Sequence, residues 1–178
     1  VDLTLDQMFT FGHRPHTINT VLLGAEPDGR VTSLRHEAVA ETSRFEDYQE
    51  VVVNWSGLVY PVENAVFEHK LAQLDVYTPA DMRAPGAPLG FFAMESALDE
   101  LAWTTGIDPV ALRLKNYADR DENDGKPYTS KELRAAYQVG AERFGWHKRS
   151  PEPRSMREGH ELIGWGMASG AWEAALMK

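Results

Sequence analysis

The order of strand-like and helix-like segments is the feature that most constrains the fold of this chain. Thr17 to Leu23 and Val31 to Ala38 are rich in β-forming residues, and Asp28-Gly29 between them is typical of a tight turn. These segments predict a β-hairpin. Apolar residues at helical spacing cluster later in the chain. We therefore expect an α+β fold, with a mixed β-sheet and helices packed on one face.

Three further segments have less regular patterns. Ala40 to Glu50 is polar and suits a loop or a short helix. Val66 to Tyr77 is apolar without a clean period, which predicts one bent strand or two short ones. Leu162 to Trp172 is apolar and rich in glycine. We interpret it as a strand that another backbone or a ligand approaches closely.

The helices are predicted from apolar spacing and from end signals. Apolar residues from Phe91 onward keep one helical stripe, which ends at Gly106. Asp108 and Pro109 suit the N-cap and first position of a second helix that we expect to reach Tyr117. The spacing of Thr129-Ser130-Lys131-Glu132 predicts a capping box at the start of a third helix.

A proline- and glycine-rich loop separates the last strand-like segment from the first helix. Residues 78–90 contain three prolines and two glycines, which makes the loop irregular but stiff. A helix N-terminus offers unpaired N–H groups and the positive end of the helix dipole, and Arg83 adds a planar cation. The loop therefore suits a phosphate, pyrophosphate or metal-oxo group. The alternative is a loop that only turns the chain.

The other titratable residues point to no chemistry of their own. His13, Arg14 and His16 are close in sequence, but no carboxylate or further histidine lies nearby at metal-ligand spacing. We therefore expect them to have a structural role or to support residues that bind a ligand. We expect His36 and Glu37 to form a surface pair. No catalytic residue and no metal ligand is assigned.

Charge and composition argue against several partners. The formal net charge is −9 without a basic cluster, which argues against nucleic-acid binding. There are no cysteines, so this chain can hold no disulfide and no thiolate-bound iron–sulfur cluster. No apolar stretch is long enough to span a bilayer, and we expect no membrane partner.

Several segments, in order, resemble the molybdopterin-binding large subunit of the xanthine dehydrogenase and aldehyde oxidase family. Residues 82–89, Met-Arg-Ala-Pro-Gly-Ala-Pro-Leu, resemble the family's Phe-Arg-Gly-Phe-Gly-Gly-Pro-Gln. Residues 12–15 and 106–116 resemble further family segments, and 163–168 resemble the glycine-rich strand that opens the following domain. We expect an internal fragment of such a subunit, most similar to the bacterial aldehyde-oxidising branch.

The resemblance implies a domain division and a site. Residues 1–146 would belong to the first molybdopterin-binding domain, 147–160 to a connector and 161–178 to the start of the following segment. The residues implied to contact the cofactor are Met82, Arg83, Ala84, Pro85 and Gly86, with Arg83 acting mainly through its backbone N–H. The family's general base lies outside this sequence, so we expect the chain alone to be inactive.

The resemblance also implies a reaction. Family members hydroxylate aldehydes or N-heterocycles at a molybdenum centre, with water as the oxygen source. Pro85 stands where xanthine-oxidising members have a phenylalanine that stacks on the purine, so we expect an aldehyde substrate. The implied cofactor is molybdopterin, in its simple or cytosine dinucleotide form.

The resemblance places the electron carriers on other chains. FAD and iron–sulfur clusters are implied on partner subunits, which agrees with the lack of cysteine. Relatives occur in the cytoplasm and in the periplasm, so the compartment stays open. Two alternatives also stay open: a stand-alone anion or small-molecule binding module, and a structural assembly domain.

Overall fold

A mixed three-stranded sheet forms the base of the fold. The computed structural model describes residues 4–8, 12–121 and 124–172. Strands β1 (Thr17–Ala25) and β2 (Val31–Ser43) are antiparallel, and β3 (Asn64–Leu74) runs parallel to β2, in the order β1-β2-β3. The α+β fold and the hairpin are therefore confirmed. β3 is one strand rather than two.

The hairpin turn has the local chemistry that its residues predict. Gly29 has φ +85° and donates its N–H to the carbonyl of Glu26 at 2.8 Å. The Asp28 carboxylate accepts the N–H of Arg30 at 3.0 Å. Gly29 is also close-packed, because an added Cβ would lie 2.5 Å from Ile107. The turn thus docks directly against the helical layer.

A short helix, α1 (Leu5–Met8), precedes the sheet and is exposed. Four further helices form a layer on one face of the sheet: α2 (Trp55–Val59), α3 (Ala87–Thr105), α4 (Pro109–Lys115) and α5 (Leu133–Phe144), followed by a 3-10 turn at Trp146–Lys148. No helix within the described ranges has the length and hydropathy needed to cross a membrane. The core contains Leu34 from β2, Tyr60 after α2, Met94 and Leu98 from α3, and Leu112 from α4. The other face of the sheet exposes Ile18, Leu22, Val39 and Val66.

The predicted helix ends are partly correct. The Asp108 carboxylate accepts the N–H groups of Val110 and Ala111 at 2.9 and 3.1 Å, which confirms the N-cap of α4. That helix ends at Lys115 rather than at Tyr117. α3 begins at Ala87, before the apolar stripe, because Pro88 suits a first helical turn and Gly86 ends the loop with a positive φ.

The predicted capping box at Thr129–Glu132 is wrong. The N-cap of α5 is Glu132, and no side chain caps the helix. Lys131 instead donates to the carbonyl of Ala118 at 2.6 Å, and its ammonium lies 4.2 and 4.3 Å from the ring centres of Tyr117 and Tyr128. These tertiary contacts hold residues 129–132 outside the geometry of a capping box.

The predicted strand over Leu162–Trp172 is also wrong. Only a short hairpin forms there, between β4 (Arg157–Glu158) and β5 (Glu161–Leu162). Residues 163–172 lie against the helical side, where the Ser169 N–H donates to Glu95 at 2.8 Å. A Cβ at Gly164, Gly166 or Gly170 would meet no described atom within 4 Å, so no close approach explains these glycines here.

Candidate functional site

The loop at residues 82–86, which we call the cofactor loop, lies beside the segment that precedes β1. The Ala80 N–H donates to the carbonyl of His13 at 3.1 Å. Gly12 has φ +75°, and a Cβ there would lie 2.7 Å from the Cβ of Ala80. The fold thus brings together two segments that are far apart in sequence and that both resemble the family pattern.

A buried ion pair holds the cofactor loop at two points. The Arg14 guanidinium donates to Oε1 of Glu50 through Nη1, and to the Arg83 carbonyl through Nη2 at 2.7 Å. The same Glu50 oxygen accepts the N–H of Gly86 at 2.5 Å. Arg14 thus supports the cofactor loop from the neighbouring segment, which is the supporting role left open for it by the sequence. Sequence reasoning missed Glu50, whose only signal is a carboxylate directly before the apolar Val51-Val52-Val53.

The backbone of the cofactor loop adopts a conformation that most residues avoid. Ala84 has φ +56° and Gly86 has φ +77°. An L-residue with a Cβ is disfavoured in this region, by about 1–2 kcal/mol. Ala84 stands where the family pattern has glycine. A Cβ on Gly86 would lie 1.7 Å from the Val51 carbonyl oxygen, so only glycine fits this position.

Only part of the cofactor loop presents free donors. The Gly86 N–H is taken by Glu50, the Ala87 N–H donates to the Ala84 carbonyl at 3.2 Å, and Pro85 has no N–H. The N–H groups of Met82, Arg83 and Ala84 have no acceptor within the described part of the chain. The backbone donors available to a ligand are therefore these three N–H groups. The exposed Arg83 side chain forms no ion pair with a described residue.

Glu50 itself is incompletely satisfied. Its side chain is fully buried, yet Oε2 has no hydrogen-bond partner among the residues that the structure describes. Buried polar atoms in proteins nearly always have a partner. Both carboxylate oxygens have therefore lost their hydration, but only Oε1 has gained hydrogen bonds within the described residues in return.

Two stacked tryptophans border the cofactor loop. The Trp55 indole donates to the Val51 carbonyl at 2.8 Å, and its ring stacks on that of Trp172 at 4.9 Å. Trp55 is buried, and its Nε1 would lie 2.9 Å from a Cβ on Gly86. The loop therefore rests on a buried, apolar support. Over residues 4–8, 12–121 and 124–172 no cluster of metal-binding side chains occurs.

The predicted surface pair of His36 and Glu37 is wrong, because His36 points inward. It lies on β2, where it pairs with Val21 and Phe67 of the neighbouring strands. Its Nδ1 is 2.7 Å from the Ser56 hydroxyl, and its Nε2 is 3.0 Å from the Asn19 amide oxygen. Burial lowers the pKa of His36 to about 4, so the ring is neutral near pH 7. Ser56 is fully buried and is not a reachable nucleophile.

A second buried carboxylate, Glu95, forms the centre of a complete polar network. Its Oε1 accepts the Tyr60 hydroxyl, and its Oε2 accepts Arg113 Nε at 2.7 Å and the Ser169 N–H at 2.8 Å. Arg113 also reaches Asp99 at 2.8 Å. The network ties α3 and α4 to the residues after β5. Both oxygens of Glu95 are therefore engaged in holding these elements together.

The chain matches a known domain family. The molybdopterin cofactor-binding domain family matches residues 3–117. The molybdenum-binding subunit PaoC of an Escherichia coli K12 aldehyde oxidoreductase is 36% identical over 159 residues, which are 89% of this chain and 22% of PaoC. The putative xanthine dehydrogenase molybdenum-binding subunit XdhA of the same strain is 29% identical, over 82% of this chain and 20% of XdhA. The chain thus spans about a fifth of these relatives.

Solved structures show the same fold. The aldehyde oxidoreductase of Desulfovibrio gigas superposes with a TM-score of 0.67 at 20% identity, over 76% of this chain and 16% of that one. Quinoline 2-oxidoreductase of Pseudomonas putida 86 superposes with a TM-score of 0.65 at 18% identity, over 76% and 19%. The chain belongs to the molybdopterin cofactor-binding domain of the xanthine dehydrogenase and aldehyde oxidase family, as its resemblance predicted.

Proposed function

We propose that this chain supplies part of the molybdenum cofactor site of an oxidoreductase, through Met82, Arg83, Ala84, Pro85 and Gly86. The observation that carries the proposal is the held loop with three backbone N–H groups, of Met82, Arg83 and Ala84, that have no acceptor among the described residues. A cofactor rich in oxo, phosphate and carbonyl oxygens is the kind of acceptor that such donors fit.

The residues of the chain have distinct tasks in this proposal. The N–H groups of Met82, Arg83 and Ala84 donate to the cofactor and orient it. Gly86 lets the chain pass against the Val51 carbonyl, and the apolar support of Trp55 keeps water from beneath the loop. When bound, the molybdenum centre supplies a two-electron oxidation in which water is the oxygen source. No described residue is proposed as the general base.

We propose an aldehyde as the substrate of the complete subunit. PaoC, which is 36% identical, is named as part of an aldehyde oxidoreductase. Pro85 also has no aromatic face with which to stack on a planar heterocycle. The heterocycle alternative is supported by the weaker similarity to XdhA, at 29% identity.

We propose that the electron carriers belong to other subunits of the same complex. FAD and iron–sulfur clusters would accept the electrons, and the relatives are named as molybdenum-binding subunits, which implies companions. We further propose that the cofactor is molybdopterin or its cytosine dinucleotide form.

We also propose a division of the chain into three parts. Residues 1–146 belong to the first molybdopterin-binding domain, residues 147–160 form a connector, and residues 161–178 begin the following molybdopterin-binding segment.

The test uses the intact subunit that carries this chain, co-expressed with the subunits encoded beside it. We would measure bound molybdenum and the reduction of a dye by an aromatic aldehyde and by xanthine. Near-stoichiometric molybdenum with aldehyde-dependent reduction is the expected result. Bound molybdenum with activity on xanthine but none on the aldehyde would contradict the proposed aldehyde substrate. A folded complex without molybdenum, from cells that make the cofactor, would favour a binding module or an assembly domain.

A further inference from the structure

The buried pair of Arg14 and Glu50 is poorly arranged for stability. The Glu50 side chain is fully buried and that of Arg14 is 25% exposed, so both lose much of their hydration. Oε2 of Glu50 recovers no hydrogen bond within the described part of the chain. Burying a carboxylate stabilises a fold only where the remaining lone pairs are also satisfied. The burial of this pair is therefore better explained by the backbone segment that it positions than by a gain in stability.

What the pair positions is the cofactor loop, at both of its ends. Glu50 accepts the Gly86 N–H at 2.5 Å, where the loop enters α3, and Arg14 donates to the Arg83 carbonyl at 2.7 Å. Between these points lies Ala84 with φ +56°, a conformation that alanine does not hold without support. The free Ala84 N–H lies between these two points, and the free Arg83 N–H belongs to the residue whose carbonyl Arg14 holds.

We infer that Glu50 is a positioning residue for the cofactor: through Gly86, and through Arg14 on Arg83, it holds the loop so that the Arg83 and Ala84 N–H groups stay free to donate. Glu50 does not touch the cofactor in this inference, because its side chain is fully buried. The statement that these N–H groups bind the cofactor rests on the proposed function. The statement that Glu50 holds the conformation of the loop concerns this chain alone.

The variants separate positioning from general destabilisation. Glu50→Ala removes both contacts of the carboxylate. Glu50→Gln keeps an acceptor oxygen for Gly86 and removes the charge that Arg14 faces. The matched control is Glu41→Ala, because Glu41 contacts His13 and the His16 N–H in the same neighbouring segment and does not touch the cofactor loop.

The experiment uses the intact subunit with its partner subunits and three readouts. These are hydrogen–deuterium exchange of the peptide over residues 82–90, bound molybdenum, and the electron paramagnetic resonance spectrum of the partly reduced metal. In Glu50→Ala we expect loop exchange to accelerate about tenfold, as for a lost hydrogen bond to a charged group. Molybdenum content should fall or its spectrum change. Glu50→Gln should be intermediate, and Glu41→Ala should match the wild type.

Each outcome decides the inference. Unchanged loop exchange in Glu50→Ala, or equal acceleration in Glu41→Ala, would overturn it. Accelerated exchange with wild-type metal content and spectrum would also overturn the positioning role. If Glu50→Ala does not fold, the double variant Arg14→Met with Glu50→Leu leaves no charge unpaired and decides by the same readouts. If the wild type binds no molybdenum, the proposed function fails, and loop exchange alone decides whether Glu50 holds the loop.

Discussion

The molecule contains two buried carboxylate–arginine pairs that differ in how completely they are satisfied. Both oxygens of Glu95 have donors, and its partner Arg113 also bonds Asp99 and the Pro109 carbonyl. Among the described residues, Glu50 finds donors for Oε1 only, and one of these is the Arg14 guanidinium, which is partly exposed. The first pair lies within the helical layer, and the second lies beside the cofactor loop.

The difference separates a structural network from a functional one. A buried ion pair with every hydrogen bond made links elements without leaving an uncompensated atom. Burial works to lower the pKa of Arg113, but the charge of Glu95 raises it above its ordinary value, so the arginine stays protonated. The pair at Glu50 instead supports a left-handed Ala84, a conformation costing about 1–2 kcal/mol. Incomplete satisfaction and strain coincide where the chain is proposed to meet a ligand.

The largest effect is expected from breaking the complete network. Arg113→Ala leaves Glu95 buried without its cation, and we expect the free energy of unfolding to fall by about 3–5 kcal/mol. Urea denaturation followed by circular dichroism measures this. The control is Arg35→Ala, because Arg35 is half-exposed and its ion pairs are on the surface. Its expected loss is at most about 1 kcal/mol. Equal losses for both variants would contradict the distinction.

The next effect concerns the backbone of the cofactor loop. Gly86→Val places a Cβ 1.7 Å from the Val51 carbonyl at a positive φ, and we expect a loss of about 3 kcal/mol with loss of molybdenum from the intact subunit. Gly140→Val is the control, because a Cβ at Gly140 meets no described atom within 4 Å. Arg83→Ala should reduce activity less than Gly86→Val. The reverse order would argue that the Arg83 side chain, rather than the backbone, binds the cofactor.

The neutral cluster around His36 shows a third way to satisfy a buried polar group. In the unfolded chain His36 takes up its proton at the ordinary histidine pKa of 6.5, whereas burial lowers the pKa of the folded residue to about 4. Its contribution to stability is therefore complete above pH 6.5 and is lost as the pH falls towards 4, by roughly 2–3 kcal/mol. Urea denaturation at several pH values should show this slope in the wild type.

The slope is assigned to His36 by substitution. His36→Gln cannot titrate in this range, so its stability should depend less on pH between 6.5 and 4. His160→Gln changes an exposed histidine and should leave the wild-type slope intact. If His36→Gln retained the full slope, the neutral, buried state of His36 would be the wrong explanation.

The smallest effect comes from relieving the strain at Ala84. Ala84→Gly removes the Cβ from a residue at φ +56°, and we expect a gain of about 0.5–1 kcal/mol after the added freedom of the unfolded chain is subtracted. Ala97→Gly, in the middle of α3, should lose about 1 kcal/mol. Thermal denaturation of both variants tests the sign. A loss at Ala84 would mean that the left-handed conformation carries no strain.

Several features were predictable because they depend on neighbours in sequence. The hairpin follows from Asp28-Gly29 between two β-forming runs, and the start of α4 follows from Asp108 before Pro109. Other elements predicted from local sequence do not form, because tertiary contacts favour a different conformation. The predicted capping box at residues 129–132 does not form, because Lys131 contacts the Ala118 carbonyl instead. Residues 163–172 pack against the helical layer through contacts such as that of Ser169 with Glu95, and do not pair with a strand. The burial of His36 is not evident from the sequence, because the face of β2 that is buried depends on the register with β1 and β3.

The sequence by itself determined the α+β class, the hairpin followed by β3, α3, α4 and α5 in that order, the stiff loop before α3 and, through resemblance, the family. Only the tertiary structure decided which loop atoms are free to donate. The two residues that hold the loop, Arg14 and Glu50, are 36 positions apart, and Arg14 lies 69 positions from Arg83. No local pattern encodes such contacts. They exist because the segment before β1, the loop after β2 and the start of α3 meet in the folded chain.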